Sequence, residues 1–484
     1  MRTAGRLLGA ALALGAAFAV GRWSAGPTRA GANDTDAAAP LTAAASGNAT
    51  ATPPAGPGAG AAAALPAGRW HAVRNDAADH PNEDSDTLRE LAQLPYAAGS
   101  NEAPERRSVT VLTDAADLGV NLVLSGHAPV AQLIDMKGAV LHEWRKSVHD
   151  VWPDYEIQHG FPEDHTTFFR RAHLLPNGDL LVVYEYIGLI CLDKDSNVRW
   201  AYRGGCHHDL HVGEDGTIHT LAYRLRTEVP ARLAGHPAFL QAPYFEDVVV
   251  ELSASGEVRR EISVLQAFVD SQYGSTLALL ARQGDFFHPN TVSVMDGRFA
   301  DRHPLYRQGN LLVCVRNSNT VGVIDPRTER VVWALQGLWT YPHDPSVVEA
   351  GRLLVFDNLG DTMQSRIVEV DPLTQEVTWT YRGSPKAPFL SEVCGASQRL
   401  PGGNTMIVET TGGRAFEVNR AGDIVWEYLN PHRAGEEGEF IASLFDCVRL
   451  DPSPYAAALP ALADAGDRGP LPLDAVRALS ESKK

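Results

Sequence analysis

Three histidines in this 484-residue chain fall at nearly the same distance before a loop glycine. His208 precedes Gly216 by eight positions, His343 precedes Gly351 by eight, and His288 precedes Gly297 by nine. They lie in Cys206-His-His-Asp-Leu-His211, Asp285-Phe-Phe-His-Pro-Asn290 and Tyr341-Pro-His-Asp-Pro345, and Arg316 follows the second of these in Val313-Cys-Val-Arg-Asn317. Imidazoles serve as acids, bases or nucleophiles near neutral pH. One buried histidine is usually a hydrogen-bonded core residue. Three in equivalent registers beside an arginine read as a functional cluster. Cys394-Gly-Ala-Ser stands in the same register without a histidine, so the histidines are not a generic feature of the repeat.

A metal centre is the competing chemistry. His207, His208 and His211 are close in sequence, but alternating strand side chains keep all three from converging. Asp209 and Asp344 each follow a channel histidine and are expected to face away, and no carboxylate ring for calcium is apparent. No metal site and no cofactor is therefore expected.

The elements that must position these residues repeat. Six times an apolar strand runs into a polar residue, a turn and a second strand, usually carrying Trp. The copies run from Ile134-Asp135 to Trp144, Leu192-Asp193 to Trp200, Ile324-Asp325 to Trp333, Val370-Asp371 to Trp379 and Val418-Asn419 to Trp426, with a Trp-less copy from Glu251 to Arg259. Asp-x-x-Gly and Asp-Pro-x-Thr are hairpin-turn sequences. A second hairpin precedes the first in most copies, as at His173 to Tyr184 around Gly178, and helical periodicity is absent. Four strands per repeat cannot bury both faces alone, so the repeats close into a ring. The expected fold is all-β, a six-bladed β-propeller over 106–450, with the two ends as material for a seventh blade. In such a ring the histidine segments meet at the central channel.

The rest of the chain bounds the answer. Residues 1–32 hold Arg2 and Arg6, an apolar run from Leu7 to Val20 and Ala30-Gly31-Ala32, the parts of a secretory signal. Extended through Trp23, the run suits an uncleaved membrane anchor. Export follows, to the periplasm or to a membrane-anchored position facing it. Residues 33–105 are an Ala/Gly/Pro-rich disordered tether with one short helix near Asp86 to Leu94, and 451–484 a tail ending in a peripheral helix. The net charge of −17 comes without a basic stripe, so nucleic acid is excluded as a partner. Five scattered cysteines allow one or two disulfides at most, and most read as small buried residues.

The motifs at 207–209, 285–290, 316, 342–344 and Phe356-Asp357-Asn358, with the Asp/Trp repeats, resemble the arylsulfotransferase family over most of residues 118–450. These are the aryl-sulfate sulfotransferases that do not use the nucleotide sulfate donor. The resemblance implies a six-bladed propeller whose channel moves a sulfuryl group from an aryl sulfate to a phenol by a ping-pong route. It implies His343 as nucleophile and His208, His288 and Arg316 as sulfuryl-binding or proton-moving groups. Asn290, His207, His211 and Asn358 are the implied substrate-binding positions. The chain departs from the family pattern in having Pro342 and Pro345 around the nucleophile, and in the Ala-rich stretch where characterised members carry a β-sandwich. Two other functions fit the same scaffold: a non-catalytic ligand-binding propeller and a metal-dependent hydrolase. Oligomeric state is left open.

Overall fold

The computed structural model describes residues 69–72, 107–156, 166–229, 240–277, 285–360, 364–384, 387–434 and 440–463, with Leu280 and Gly438 as isolated positions. The signal, almost all of the tether with its short helix, and the helix expected in the tail lie outside the described residues. Among the described residues no helix is long and apolar enough to cross a membrane.

Six antiparallel sheets form the blades of a propeller, and five of them have four strands each. Blade 2 is Arg171–Leu174, Leu180–Tyr184, Gly188–Leu192 and Val198–Tyr202. Blade 3 is Cys206–Val212, Ile218–Arg226, Tyr244–Leu252 and Val258–Ser263. Blade 4 is Pro289–Val294, Leu311–Val315, Thr320–Asp325 and Arg330–Gln336. Blade 5 is Pro342–Val347, Leu353–Asp357, Arg366–Val370 and Val377–Tyr381. Each is written from the channel outward.

The two ends close the ring instead of forming a seventh blade. Blade 1 takes its innermost strand, Leu444–Leu450, from the C-terminal side and continues with Val120–Ser125, Val130–Ile134 and Val140–Arg145. Blade 6 runs Ala396–Arg399, Thr405–Glu409, Arg414–Val418 and Ile424–Leu429, and its outer edge is covered by a fifth strand from the N-terminal side, Ser108–Leu112. Both ends thus pair edges that an open ring would leave bare. A small sheet of Trp70–Ala72, Phe440–Ala442 and Arg433–Ala434 lies outside the blades.

The repeat has a physical reason in the ring. In each turn between the third and fourth strands, an Asp, Asn or Ser side chain accepts from the backbone amides that follow: Asp135 from Lys137 and Ala139, Asp193 from Asp195 and Asn197, Asn419 from Ala421 and Asp423. In three blades the fourth-strand Trp then reaches the corresponding turn of the next blade. The indole of Trp200 donates to Ala254 O (3.1 Å), that of Trp379 to Arg420 O (3.0 Å) and that of Trp426 to Met136 O (3.0 Å). The Trp-less copy keeps the contact with another donor: Arg260 Nη1 binds Pro326 O at 3.0 Å.

Helix is not wholly absent. Helix α1, Val148–Val151, follows blade 1, and helix α2, Val264–Val269, follows blade 3 and sinks Val264, Leu265, Ala267 and Phe268 into the core between blades 3 and 4. A single helical turn is too short to show a period in sequence. The five thiols are free and fall in or beside five different blades. Cys191, Cys206, Cys314 and Cys447 are buried strand residues, and Cys394 is half-buried.

Candidate active site

The innermost strands of blades 3, 4 and 5 carry a backbone kink where the histidines sit. His208 and Asp344 adopt φ 58° and 49°, and His288, immediately before its strand, φ 57°. The pairing register shifts between His207 and Leu210, Pro289 and Thr291, and His343 and Ser346. Bulges of this kind re-aim side chains that a regular strand would send to alternate faces. His207 and His208 consequently lie side by side, Nδ1 to Nδ1 at 2.9 Å, and the ring of His208 meets that of His288 edge-on at 4.8 Å between centroids.

Asn358 sits behind His343. Its amide nitrogen donates to Ser391 O at 2.7 Å and also to Cys394 O. Carbonyls only accept, so the amide must face them and turn its oxygen to His343 Nδ1, 2.7 Å away; Tyr341 O lies 3.0 Å from the same nitrogen. Nδ1 therefore carries the proton, and Nε2 keeps its lone pair. His343 is 4% exposed; burial, followed by the charge of Arg316, lowers its pKa to about 3, so the ring is neutral in ordinary buffers.

Arg316 stacks on the ring of Tyr341 at 4.3 Å and donates to Asn317 Oδ1 at 3.0 Å. Among the described residues no carboxylate pairs with it. His288 Nδ1 lies 2.5 Å from Asp285 Oδ2. Burial pushes Asp285 up, but His288, with His207 and Arg316, outweighs it and holds the carboxyl below its usual range. His208 is held well below the ordinary imidazole range by burial first, then by His288 and Arg170.

Of the expected substrate-binding positions, two act as supports. Asn358 holds His343, and Asn290 donates to Pro342 O at 2.8 Å, tying blade 4 to the histidine strand of blade 5. His207 pairs through Nε2 with Asp247 Oδ1 at 3.2 Å. His211 lies beyond the bulge and, with His173, lines a different cavity of about 400 Å³. The structure brings His208, His288, His343 and Arg316 together and leaves His211 out.

Sequence reasoning missed Arg170, Glu185 and Tyr186. Arg170 Nε binds Glu185 Oε2 at 3.0 Å, Glu185 Oε1 lies 3.1 Å from His208 Nδ1, and Tyr186 stacks on His207. The signal for Arg170 was present: it stands eight residues before the blade-2 glycine Gly178, the spacing that marks His208 and His343.

Asp209 and Asp344 do not face away. Their bulges aim them into the channel, where they meet Asp446 around Arg171, at 2.8, 2.6 and 3.0 Å from its guanidinium nitrogens. The channel thus does hold a carboxylate ring, filled by an arginine. Each carboxylate is also bound by backbone amides, Asp209 by Val292 and Asp344 by Ser397 of the next blades.

Residues 204–431, which carry all four clustered residues, match the model of the arylsulfotransferase (ASST) family. The match supports an enzyme of arylsulfotransferase type. No curated protein matches the chain. Among solved structures it is similar to a protein of unknown function from Bacteroides caccae (13% identity, TM-score 0.40, covering 67% of this chain and 99% of that one). It is also similar to a virginiamycin B lyase from Staphylococcus aureus (12%, TM-score 0.38, 70% and 98%). A third is the β-propeller domain of Cps50 (Swd1) from Myceliophteria thermophila (12%, TM-score 0.39, 70% and 100%). Likenesses this distant carry nothing about chemistry.

Proposed function

We propose that the chain moves a sulfuryl group from an aryl sulfate to a phenolic acceptor through a sulfo-histidine at His343. The observation that carries this reading is a neutral imidazole with Nδ1 committed to Asn358, beside a guanidinium that no described carboxylate neutralises. Nε2 of His343 attacks sulfur, an N–S bond forms, and the S–O bond to the aryl group breaks. Charge spreads over the three sulfuryl oxygens, where fixed donors such as Arg316 stabilise it. His288, oriented by Asp285, gives its Nε2 proton to the leaving phenolate. An acceptor phenol then returns that proton, attacks the same sulfur and releases His343.

Pro342 fits this strand because its carbonyl, not an amide, makes the contacts there, from Asn290 and from the Cys314 thiol at 3.1 Å. No cofactor enters the scheme; the partners are the aryl sulfate and the phenol. The segment from Arg2 to Ala32 supports work outside the cytoplasm, free or tethered to a membrane. Phenol release from a chromogenic aryl sulfate, with and without an acceptor phenol, tests the reading. Release that rises with acceptor concentration supports it; release independent of acceptor points to a hydrolase, and binding without release to a non-catalytic propeller.

A further inference from the structure

Two acceptors converge on one nitrogen of His208. The Asp247 carboxylate, 3.2 Å from His207 Nε2 though outside hydrogen-bond geometry, favours a proton on that nitrogen by its charge, and His207 Nδ1 is then a lone pair 2.9 Å from His208 Nδ1. Glu185 Oε1 stands 3.1 Å from the same His208 nitrogen. Glu185 cannot turn away, because Arg170 holds its other oxygen at 3.0 Å and both side chains are buried, 8% and 5% exposed. Arg170 is itself packed over the Phe445 ring at 5.3 Å, with Nη2 3.8 Å from Cys394 Sγ. The groups that meet His208 are therefore Arg170, Glu185 and Tyr186 from blade 2, His207 on its own strand, and His288 from the blade-4 side. Asp247 stands behind His207, and His343 faces the cluster from blade 5. Among the described residues none hydrogen-bonds to His208 Nε2.

We propose that Glu185 is a positioning residue of the sulfuryl site: braced by Arg170, it fixes the proton of His208 on Nδ1, so that Nε2 is the ring nitrogen left open towards the substrate. This inference rests on the sulfuryl-transfer reading above. The carboxylate touches neither substrate nor sulfur and acts only through His208. A buried carboxylate behind a ligand-facing imidazole fixes its tautomer and ring orientation.

A double-mutant cycle on the full chain separates this role from a merely structural one. Glu185→Gln, which keeps the shape and loses the charge, lowers kcat/KM for 4-nitrophenyl sulfate with a phenol acceptor by about 10- to 100-fold. In the His208→Gln background the same change costs less than about threefold, because the residue it acts through is gone. Equal losses in both backgrounds would overturn the assignment. Asp247→Asn reaches the same nitrogen through His207 and carries the same cycle if Glu185→Gln does not fold. Absence of phenol release from the unsubstituted protein is a different result: it removes the sulfuryl-transfer reading, and this assignment with it.

Discussion

Asn358 Oδ1 accepts from His343 Nδ1 at 2.7 Å, and the amide of the same Asn358 is fixed by the carbonyls of Ser391 and Cys394. The tautomer of His343 is thus decided by backbone that does not move with the ring. Asn358→Leu removes the oxygen and frees the ring to hold its proton on either nitrogen. Transfer falls by about 10²-fold or more, chiefly in kcat, as when an imidazole loses its orienting partner. Steady-state kinetics with a fixed acceptor measures the split.

Among the described residues Arg316 forms no ion pair; it contacts the Tyr341 ring and Asn317 Oδ1, and its charge reaches Asp285. Arg316→Lys keeps the charge and loses the planar fork, so it does not restore function. Both Arg316→Lys and Arg316→Met lower kcat/KM by about 10²- to 10³-fold, the scale of removing one fixed oxyanion donor. Full activity in the lysine variant would show that a point charge suffices.

Acid destabilises the fold through its buried imidazoles. His343 has a folded pKa near 3, burial being the main cause, against 6.5 when unfolded. Below pH 6.5 the unfolded chain binds a proton that the folded one does not, so stability present above 6.5 is lost as pH falls towards 3. By pH 5 the loss from His343 alone is about 2 kcal/mol. His127, held near 3, and His173 and His219, held near 4, all chiefly by burial, act in the same direction. Urea denaturation from pH 7 to 5 checks this, and His343→Gln shows a shallower decline.

Arg171 holds Asp209, Asp344 and Asp446 together between blades 1, 3 and 5. Arg171→Met strands three carboxylates in a buried space and costs about 3–5 kcal/mol at neutral pH. Burial raises Asp446 above its usual range even with Arg171 present. The variant therefore recovers relative to the parent as pH falls and the carboxylates are protonated. An unchanged denaturation midpoint at pH 7 would show that the cluster is not a structural tie.

The ring was legible because Trp200, Trp379 and Trp426 do one job at the same place in their repeats, and the turn residues before them do another. Arg260 hid that job, since an arginine reaching Pro326 O has no resemblance in sequence to an indole. The seventh blade failed for a reason of pairing: Leu444–Leu450 and Ser108–Leu112 complete existing sheets, and partner choice across more than 300 residues leaves no local mark. His208, His288 and His343 were found by their distance from a loop glycine. The same count from Gly178 reaches Arg170, whose residue type sets it apart from the three histidines. Asp209 and Asp344 were misplaced because strand alternation was assumed through the bulges.

The most direct test of the central claim is the mass of the protein after brief incubation with an aryl sulfate and no acceptor. The account predicts a gain of one SO₃ unit, located on His343 by peptide fragmentation, absent in His343→Gln and discharged when phenol is added. Continued turnover by His343→Gln, or a label on another residue that passes to phenol at the rate of turnover, would contradict it.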